Sequence, residues 1–372
     1  MKIEELKKLR EKVNNVDLKI IKLLEKRLSI VHKINSLKEK LKLPLTSKKR
    51  EKEIINSLVF KTHDILLREY LSDFYEKIFD LSKKARILKK QKIKIRNVGI
   101  IGLGLIGGSI AKTLKYIDKE IKIFGFFEDK DSQKALKAQV IDKIFDLENM
   151  IENSEMIILS TPIEIITFLA RKIKSLEKKL RKEILIIDTG SVKEKIVKEF
   201  EILSNKKIEF LGTHPMAGWH KTGFENSKIG LFINHPWIIT PHKKNKKESI
   251  KLISHFVKSL GSKPLFLSSF EHDEITARIS HFNYLLTLSL FAYVYKKNKN
   301  YLKYAGTGFK TLTRLVSSNP YMWQQIFLNN YKKIMKEKTS FLRFFKNFNV
   351  DEHNFLKISL KYKKIRDKFY EK

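Results

Sequence analysis

The apolar run Val98-Gly99-Ile100-Ile101 leads directly into Gly102-Leu103-Gly104-Leu105-Ile106-Gly107-Gly108-Ser109. Three glycines at this spacing, between a β-rich run and a helical stretch, constrain the fold more than any other string in the chain. Gly102 permits a tight turn, Gly104 lets a pyrophosphate approach the backbone, and Gly107 lets helix and strand pack closely, with the phosphates on the helix N-terminus. A second β-rich run, Ile121–Phe127, ends at Glu128-Asp129, where an acidic side chain would bond ribose hydroxyls and favour NAD over NADP. The expected cofactor contacts are Gly102, Gly104, Leu105, Ile106, Gly107 and Glu128, together with Ser160-Thr161-Pro162 at the end of a later strand.

The flanks of this unit read differently. Residues 1–92 contain no glycine and one proline, Pro44, and are predicted to form helices over about 3–42, after Pro44, and over about 62–90. Residues 95–267 alternate β-rich runs (Arg96–Ile101, Ile121–Phe127, Met156–Ser160, Ile184–Asp188, Phe210–Thr213, Trp237–Thr240) with helical stretches, which argues for βαβ units and a mainly parallel sheet. From 268 to 372 helices return, with apolar stretches at Ile279–Val294 and Tyr321–Met335 too extensive for a solitary shell, and Lys361–Lys372 reads as a charged helical or frayed tail. The expected architecture is therefore multidomain: all-α, then α/β of Rossmann type, then an all-α region that packs against a second subunit.

Charge is the unusual number. Lys+Arg 77 against Asp+Glu 41 gives +36, which taken alone suggests nucleic acid or a membrane surface. Only 12 of these cations are arginine and the lysines are scattered, so the excess reads as compositional drift and no nucleic-acid partner is expected. With no cysteine, thiolate metal sites and disulfides are excluded, and no metal site is expected. There is no signal peptide and no run of 18 apolar residues, so a cytoplasmic chain without a membrane partner is expected.

On a helical wheel Leu9, Val13, Val16, Ile20, Leu23, Val31 and Ile34 form one apolar face. Arg27 and Lys38 fall in the middle of that face, and Arg10 at its edge. One such cation can snorkel. Two in register, with Arg50 in the next segment, point to an anion site between helices. Leu-Arg-Glu-Lys around Arg10, Leu-Leu-Glu-Lys-Arg ending at Arg27, Lys38, Pro44 and Arg50-Glu51 together resemble the all-helical chorismate mutase family. The resemblance implies that Arg10, Arg27 and Arg50 hold the two carboxylates of chorismate, with Arg10 reaching into a partner's site. It also implies that Lys38 bonds the ether oxygen and Glu51 a hydroxyl. Such a rearrangement needs no nucleophile, only a compact conformer and preorganised charge. The chain departs from the family at Ser47, where an acidic residue is frequent, and at Arg86, where a glutamine or glutamate meets the ether oxygen.

Farther on, Ser160-Thr161-Pro162, Asp188-Thr189-Gly190-Ser191-Val192-Lys193 and Thr213-His214-Pro215-Met216-Ala217-Gly218 each stand at the C-terminal end of a β-rich run, where open α/β sheets bind ligands. With the glycine loop, His272-Asp273, Ser280-His281 and the stretch from Gly308 to Arg314, they resemble prephenate dehydrogenase. The whole chain then resembles bifunctional chorismate mutase–prephenate dehydrogenases, and with the apolar C-terminal helices a homodimer is expected. The implied reaction moves hydride from C4 of prephenate to NAD while the ring carboxylate leaves as carbon dioxide. A neutral His214 would accept the hydrogen bond of the 4-hydroxyl, so activity should fall at acid pH. Ser191 would bridge His214 and the nicotinamide. Arg314 would clamp a substrate carboxylate, with Lys193 nearby and His281 at a motif position.

Departures occur at Trp219-His220, at Phe282-Asn283-Tyr284 and at Thr311, and they leave arogenate open as a substrate. Two alternatives remain beside the bifunctional reading. One is a dehydrogenase whose helical domain only dimerises or regulates. The other is a basic nucleic-acid-binding protein with a relict Rossmann fold.

Overall fold

A computed structural model describes residues 2–203, 207–218 and 221–370. Helices α1 (Lys2–Lys40), α2 (Lys48–Lys61) and α3 (Ile65–Lys89) come first. There follow β1 (Asn97–Ile101), α4 (Leu105–Ile117), β2 (Lys122–Phe126), α5 (Lys130–Lys137), β3 (Lys143–Phe145), α6 (Leu147–Asn153), β4 (Met156–Leu159), α7 (Ile163–Ser175), β5 (Ile184–Asp188), α8 (Glu194–Leu203), β6 (Ile208–Pro215), β7 (Pro236–Thr240), α9 (Lys247–Ser259) and β8 (Lys263–Phe266). Helices α10 (Ser269–Thr276), α11 (Phe282–Lys297), α12 (Thr307–Leu312), α13 (Pro320–Asn347) and α14 (Phe355–Tyr370) complete the chain, with a π-helical turn, Ala277–His281, joining α10 to α11.

The strands form one sheet in the order β3-β2-β1-β4-β5-β6-β7-β8, parallel except where β7 runs antiparallel to β6. The order reverses between β1 and β4, the crevice where doubly wound sheets take ligands. The central strands are apolar and buried on both faces, as a helix-covered parallel sheet requires. One core cluster, around Val98, Ile110 and Trp237, lies on one face, and another, around Leu159, Ile166 and Phe200, on the other.

Two local devices fix the helical ends of the chain. Ser47 caps α2, accepting the Arg50 N–H at 3.2 Å, and Asp64 caps α3 through the Leu67 N–H at 2.7 Å. At its far end α3 is rooted in the sheet region. Leu88 is 1% exposed, and Ile87 and Leu88 pack over Gly261 and Gly230.

The apolar face of α1 departs from expectation. Leu9, Val13, Val16, Ile20 and Leu23 are all exposed. Ile34, on the same face, is exposed as well; α1 has 39 residues and α3 has 25, and within one chain only part of the C-terminal half of α1, around Val31 and Asn35, is covered. Strands β3 and β8 lie outside the β-rich runs of the sequence, and β7 with β8 forms the part of the sheet that runs antiparallel to the rest.

Candidate active sites

The first site is a cleft of about 150 Å³ between α1, α2 and α3. Arg27, Lys38, Arg50, Glu51, Ser82, Lys83 and Arg86 line it. Arg27 is half-buried; it donates to Ser82 Oγ at 2.9 Å and lies over the Phe79 ring at 5.4 Å. The Lys38 ammonium donates to the Pro44 carbonyl at 3.2 Å. Glu51 pairs with Lys83 at 3.0 Å, and Arg86 donates to the Leu45 carbonyl at 3.2 Å. With Arg27, Lys38 and Arg86 facing the cleft without a carboxylate partner among the described residues, and Lys83 set against its one carboxylate, Glu51, the cleft suits a small dianion. The Arg50 guanidinium is turned outward to Glu53 at 3.2 Å, so it does not meet the expectation of an inward carboxylate ligand in this conformation. Arg10 lies 17 residues before Arg27 on a continuous helix, about 25 Å away, and cannot reach the cleft of its own chain. Lys83 was not singled out from the sequence, where it is one lysine among many; its pairing with Glu51 is what distinguishes it.

The second site gathers at the C-terminal edge of the sheet. Gly102 has φ +96°, and a Cβ there would lie 2.3 Å from the Ser160 carbonyl oxygen, while one on Gly107 would lie 2.0 Å from the Gly102 oxygen. At Gly104, by contrast, the nearest atom to such a Cβ is Asp131 Oδ2 at 4.0 Å, so the backbone there stands open. Leu105 and Ile106 form the first turn of α4, whose N-terminus has no side-chain cap. Ser160 Oγ accepts from Thr189 at 3.1 Å, Pro162 starts α7, and Thr161 Oγ1 is buried with no hydrogen-bond partner among the described residues. An open glycine backbone, an uncapped helix N-terminus and an orphaned hydroxyl at one crevice fit a dinucleotide. Of the two acids after β2, Asp129 turns inward: it caps α5 and accepts the Leu103 N–H at 2.6 Å, which ties the glycine loop to β2. Glu128 stays exposed, paired with Lys172 at 3.3 Å.

Behind this crevice lies a buried polar network. His214, next to the last residue of β6, places Nδ1 2.8 Å from His272 Nε2 on α10. His272 Nδ1 is 2.7 Å from Asp273 Oδ1. That carboxylate also accepts the backbone N–H groups of Lys193 and Glu194, at 2.7 and 2.9 Å. Burial, with His272 and Lys193 as neighbours, holds His214 well below its ordinary value and therefore neutral. His281 is pushed down to about 4, chiefly by burial; its Nδ1 is 3.1 Å from Asn330 Nδ2, and it contacts the Ser191 backbone. Asn330 also donates to the Asp273 carbonyl at 2.8 Å. Its backbone leaves helical geometry there, kinking α13.

Lys193 corrects an expectation. It is fully buried, with its ammonium on the Asp188 carboxylate and, at 2.8 Å, on the Thr213 carbonyl. It braces β5 against β6 and has no face left for a substrate carboxylate. Ser191 is half-buried in the loop after β5, its backbone against His281. Arg314 is exposed at the start of a 3₁₀ turn after α12, outside the hydrogen-bond network around His214. Tyr284, at one of the departures, stacks on Trp323 at 4.1 Å; His281, Tyr284 and Trp323 line an apolar cavity of about 280 Å³. Phe282 packs on Phe341, and Thr311 is exposed on α12. Trp219 and His220 lie outside the described residues. Asn330 and the pair His272-Asp273 had no assigned role in the sequence reading.

Three family descriptions match the chain. "Chorismate mutase type II" matches residues 9–86, "Prephenate dehydrogenase, nucleotide-binding domain" residues 110–265, and "Prephenate dehydrogenase, dimerization domain" residues 268–350. A prephenate dehydrogenase of Bacillus subtilis is 33% identical over 249 residues, covering 66% of this chain and 67% of its own. The T-protein of Haemophilus influenzae is 26% identical over 226 residues, covering 58% of this chain and 53% of its own. The chain thus spans between half and two thirds of these relatives' length. A crystal structure of prephenate dehydrogenase from A. aeolicus in complex with hydroxyphenyl propionate and NAD+ superposes with a TM-score of 0.65 at 29% identity, over 76% of this chain and 99% of that one.

Proposed function

The chain belongs to the prephenate dehydrogenase family, and from that premise we propose that it is a bifunctional enzyme of tyrosine biosynthesis. Its helical N-terminal region, which matches chorismate mutase type II, rearranges chorismate to prephenate. The Rossmann-type region then oxidises and decarboxylates prephenate to 4-hydroxyphenylpyruvate. The observation that carries the reading is the joint presence, in one chain, of a cationic interhelical cleft and a neutral buried histidine at the sheet crevice.

In the cleft, Arg27 holds one carboxylate of chorismate and Lys38 supports the ether oxygen as charge develops there. Lys83 and Glu51, already paired, receive a hydroxyl. Arg10 completes the cleft of a second copy, which requires a homodimer. The exposed apolar residues of α1, and of α11 and α13 in the matched dimerization region, support that assembly.

At the crevice, Gly104 and the first turn of α4 hold the pyrophosphate of NAD, Thr161 supplies a free hydroxyl, and Glu128 meets the ribose. NAD, when bound, accepts the hydride from C4. His214 accepts the hydrogen bond of the 4-hydroxyl and stabilises the carbonyl-like centre as the carboxylate leaves. Ser191 bridges His214 and the nicotinamide, and Arg314 holds a carboxylate from the rim. The substrates are small dianions, which the dispersed positive charge attracts without calling for nucleic acid or a membrane. No helix among the described residues is long and apolar enough to cross one. A cytoplasmic location belongs to this reading.

Incubating the full chain with chorismate and NAD, and following both NADH and the aromatic product, tests the proposal. NADH formation from prephenate but not from chorismate would reduce the helical region to a structural or regulatory role.

A further inference from the structure

We propose that Asp273 and His272 set the tautomer of His214, so that its Nε2 is the unprotonated atom presented to the crevice. This deepens the dehydrogenase reading and rests on it for its catalytic meaning.

The argument is one of donors and acceptors. The Asp273 carboxylate already accepts two backbone N–H bonds, from Lys193 and Glu194. Both of its oxygens are thus engaged as acceptors, and a carboxylate has only acceptors to offer. The 2.7 Å contact to His272 Nδ1 therefore requires the hydrogen on that nitrogen. Neutral His272 then has a bare Nε2, an acceptor. That atom is 2.8 Å from His214 Nδ1, which must carry the hydrogen in its turn. A neutral imidazole protonated at Nδ1 has its lone pair on Nε2. The proton order runs without a gap from two backbone amides at the start of α8 to the far side of the His214 ring.

The parts are built to hold this order. Asp273 is 1% exposed and His272 fully buried. Asn330 grips the Asp273 carbonyl from α13, and the Lys193–Asp188 pair closes the floor beneath. The opposite tautomer would set two lone pairs against each other at 2.8 Å and would offer the substrate a donor where its hydroxyl needs an acceptor. His272 and Asp273 touch no reacting atom in this scheme; they are positioning residues.

The test uses the full chain labelled with 15N at histidine. Long-range proton–nitrogen spectra near neutral pH should show His214, assigned by its loss in His214→Gln, with a protonated Nδ1 and a bare Nε2. His272→Leu removes the acceptor, whereas His272→Gln restores a carbonyl oxygen close to where Nε2 stood. We expect kcat to fall about 10²-fold in His272→Leu with KM for NAD unchanged, His214 to become a mixture of tautomers, and His272→Gln to stay within about tenfold of the parent. A parent spectrum with hydrogen on His214 Nε2 overturns the proposal, even where a variant fails to fold. Equal losses of kcat in the two His272 variants, with His214 still protonated at Nδ1, also overturn it. A parent chain that shows the expected tautomer but does not oxidise prephenate sinks the dehydrogenase reading and leaves the tautomer assignment standing.

Discussion

Arg27 and Ser82, 55 residues apart, are joined by a hydrogen bond of 2.9 Å that pins α1 to α3 across the cationic cleft. The serine hydroxyl passes its own hydrogen to the Ile78 carbonyl at 2.8 Å, so its lone pairs stay turned toward the guanidinium. The arginine is thereby preorganised, and its planar fork has donors left for a carboxylate.

Lys38 stands opposite this pair, its ammonium at present on the Pro44 carbonyl. In Lys38→Met, chorismate turnover by the full chain should drop about 10²-fold or more, the usual effect of removing one preorganised donor. Oxidation of added prephenate should be unchanged. Parallel assays with the two substrates check this, and a matching loss in both would locate the defect in folding.

The two ends of α1 are predicted to serve different clefts. Arg10→Ala and Lys38→Met chains should each be inactive as mutases. Dissociated and reassembled together, they should regain about one quarter of parental activity, because half of the dimers are mixed and each of those has one intact cleft. No recovery on mixing would remove Arg10 from the partner's site.

Gly102 and Gly104 should respond differently to a single methyl group. Gly102→Ala, at positive φ, should destabilise the chain by roughly 1–3 kcal/mol through backbone strain, and further through the contact with the Ser160 carbonyl. Gly104→Ala meets no protein atom closer than 4.0 Å, so its melting temperature should hold while NAD affinity falls at least about tenfold. Thermal melts paired with NAD titrations separate the two effects.

His281 makes folding sensitive to acid. Its folded value of about 4 lies below the ordinary 6.5, so the unfolded chain takes up the proton first. The stabilising effect of keeping this ring neutral is full above about pH 6.5. It is lost as pH falls toward 4, by roughly 3 kcal/mol in all. Denaturant midpoints across that range should show the slope, and His281→Gln should flatten it. His214 carries the same sign, so turnover should also decline only on the acid side.

The Lys193–Asp188 pair is fully buried. Lys193→Met strands the carboxylate and should cost about 3–5 kcal/mol. Changing both partners, as Asp188→Leu with Lys193→Met, should recover part of that loss. Urea unfolding of the single and double variants measures it.

Much of this was legible in the residues. The glycine loop and the strings at the ends of β4, β5 and β6 were placed correctly at one sheet edge because each carries its own turn chemistry. Arg27 and Lys38 could be paired because helical periodicity is regular over three turns. Other features depend on tertiary contact. Strand β3 has three residues, too few to show a period, and β8 spends two of its four on Lys263 and Pro264. The resemblance puts Lys193 near the substrate carboxylate, and nothing in the sequence separates a buried lysine from the other 64. Asn330 gives no signal in its own helix; its role comes from Asp273 and His281, 57 and 49 residues away. The exposed half of α1 satisfies the pattern of a core helix, and a wheel cannot say whose core.

Leu88 gives α3 a second allegiance. The helix that carries Ser82, Lys83 and Arg86 on the cleft side ends inside the apolar packing beneath Gly230 and Gly261. Cutting the chain after residue 92 would therefore leave a sticky stump and loosen one wall of the cleft. Calorimetry on the intact protein should register a single heat-absorption peak for the mutase helices and the sheet, because neither can melt without exposing the other.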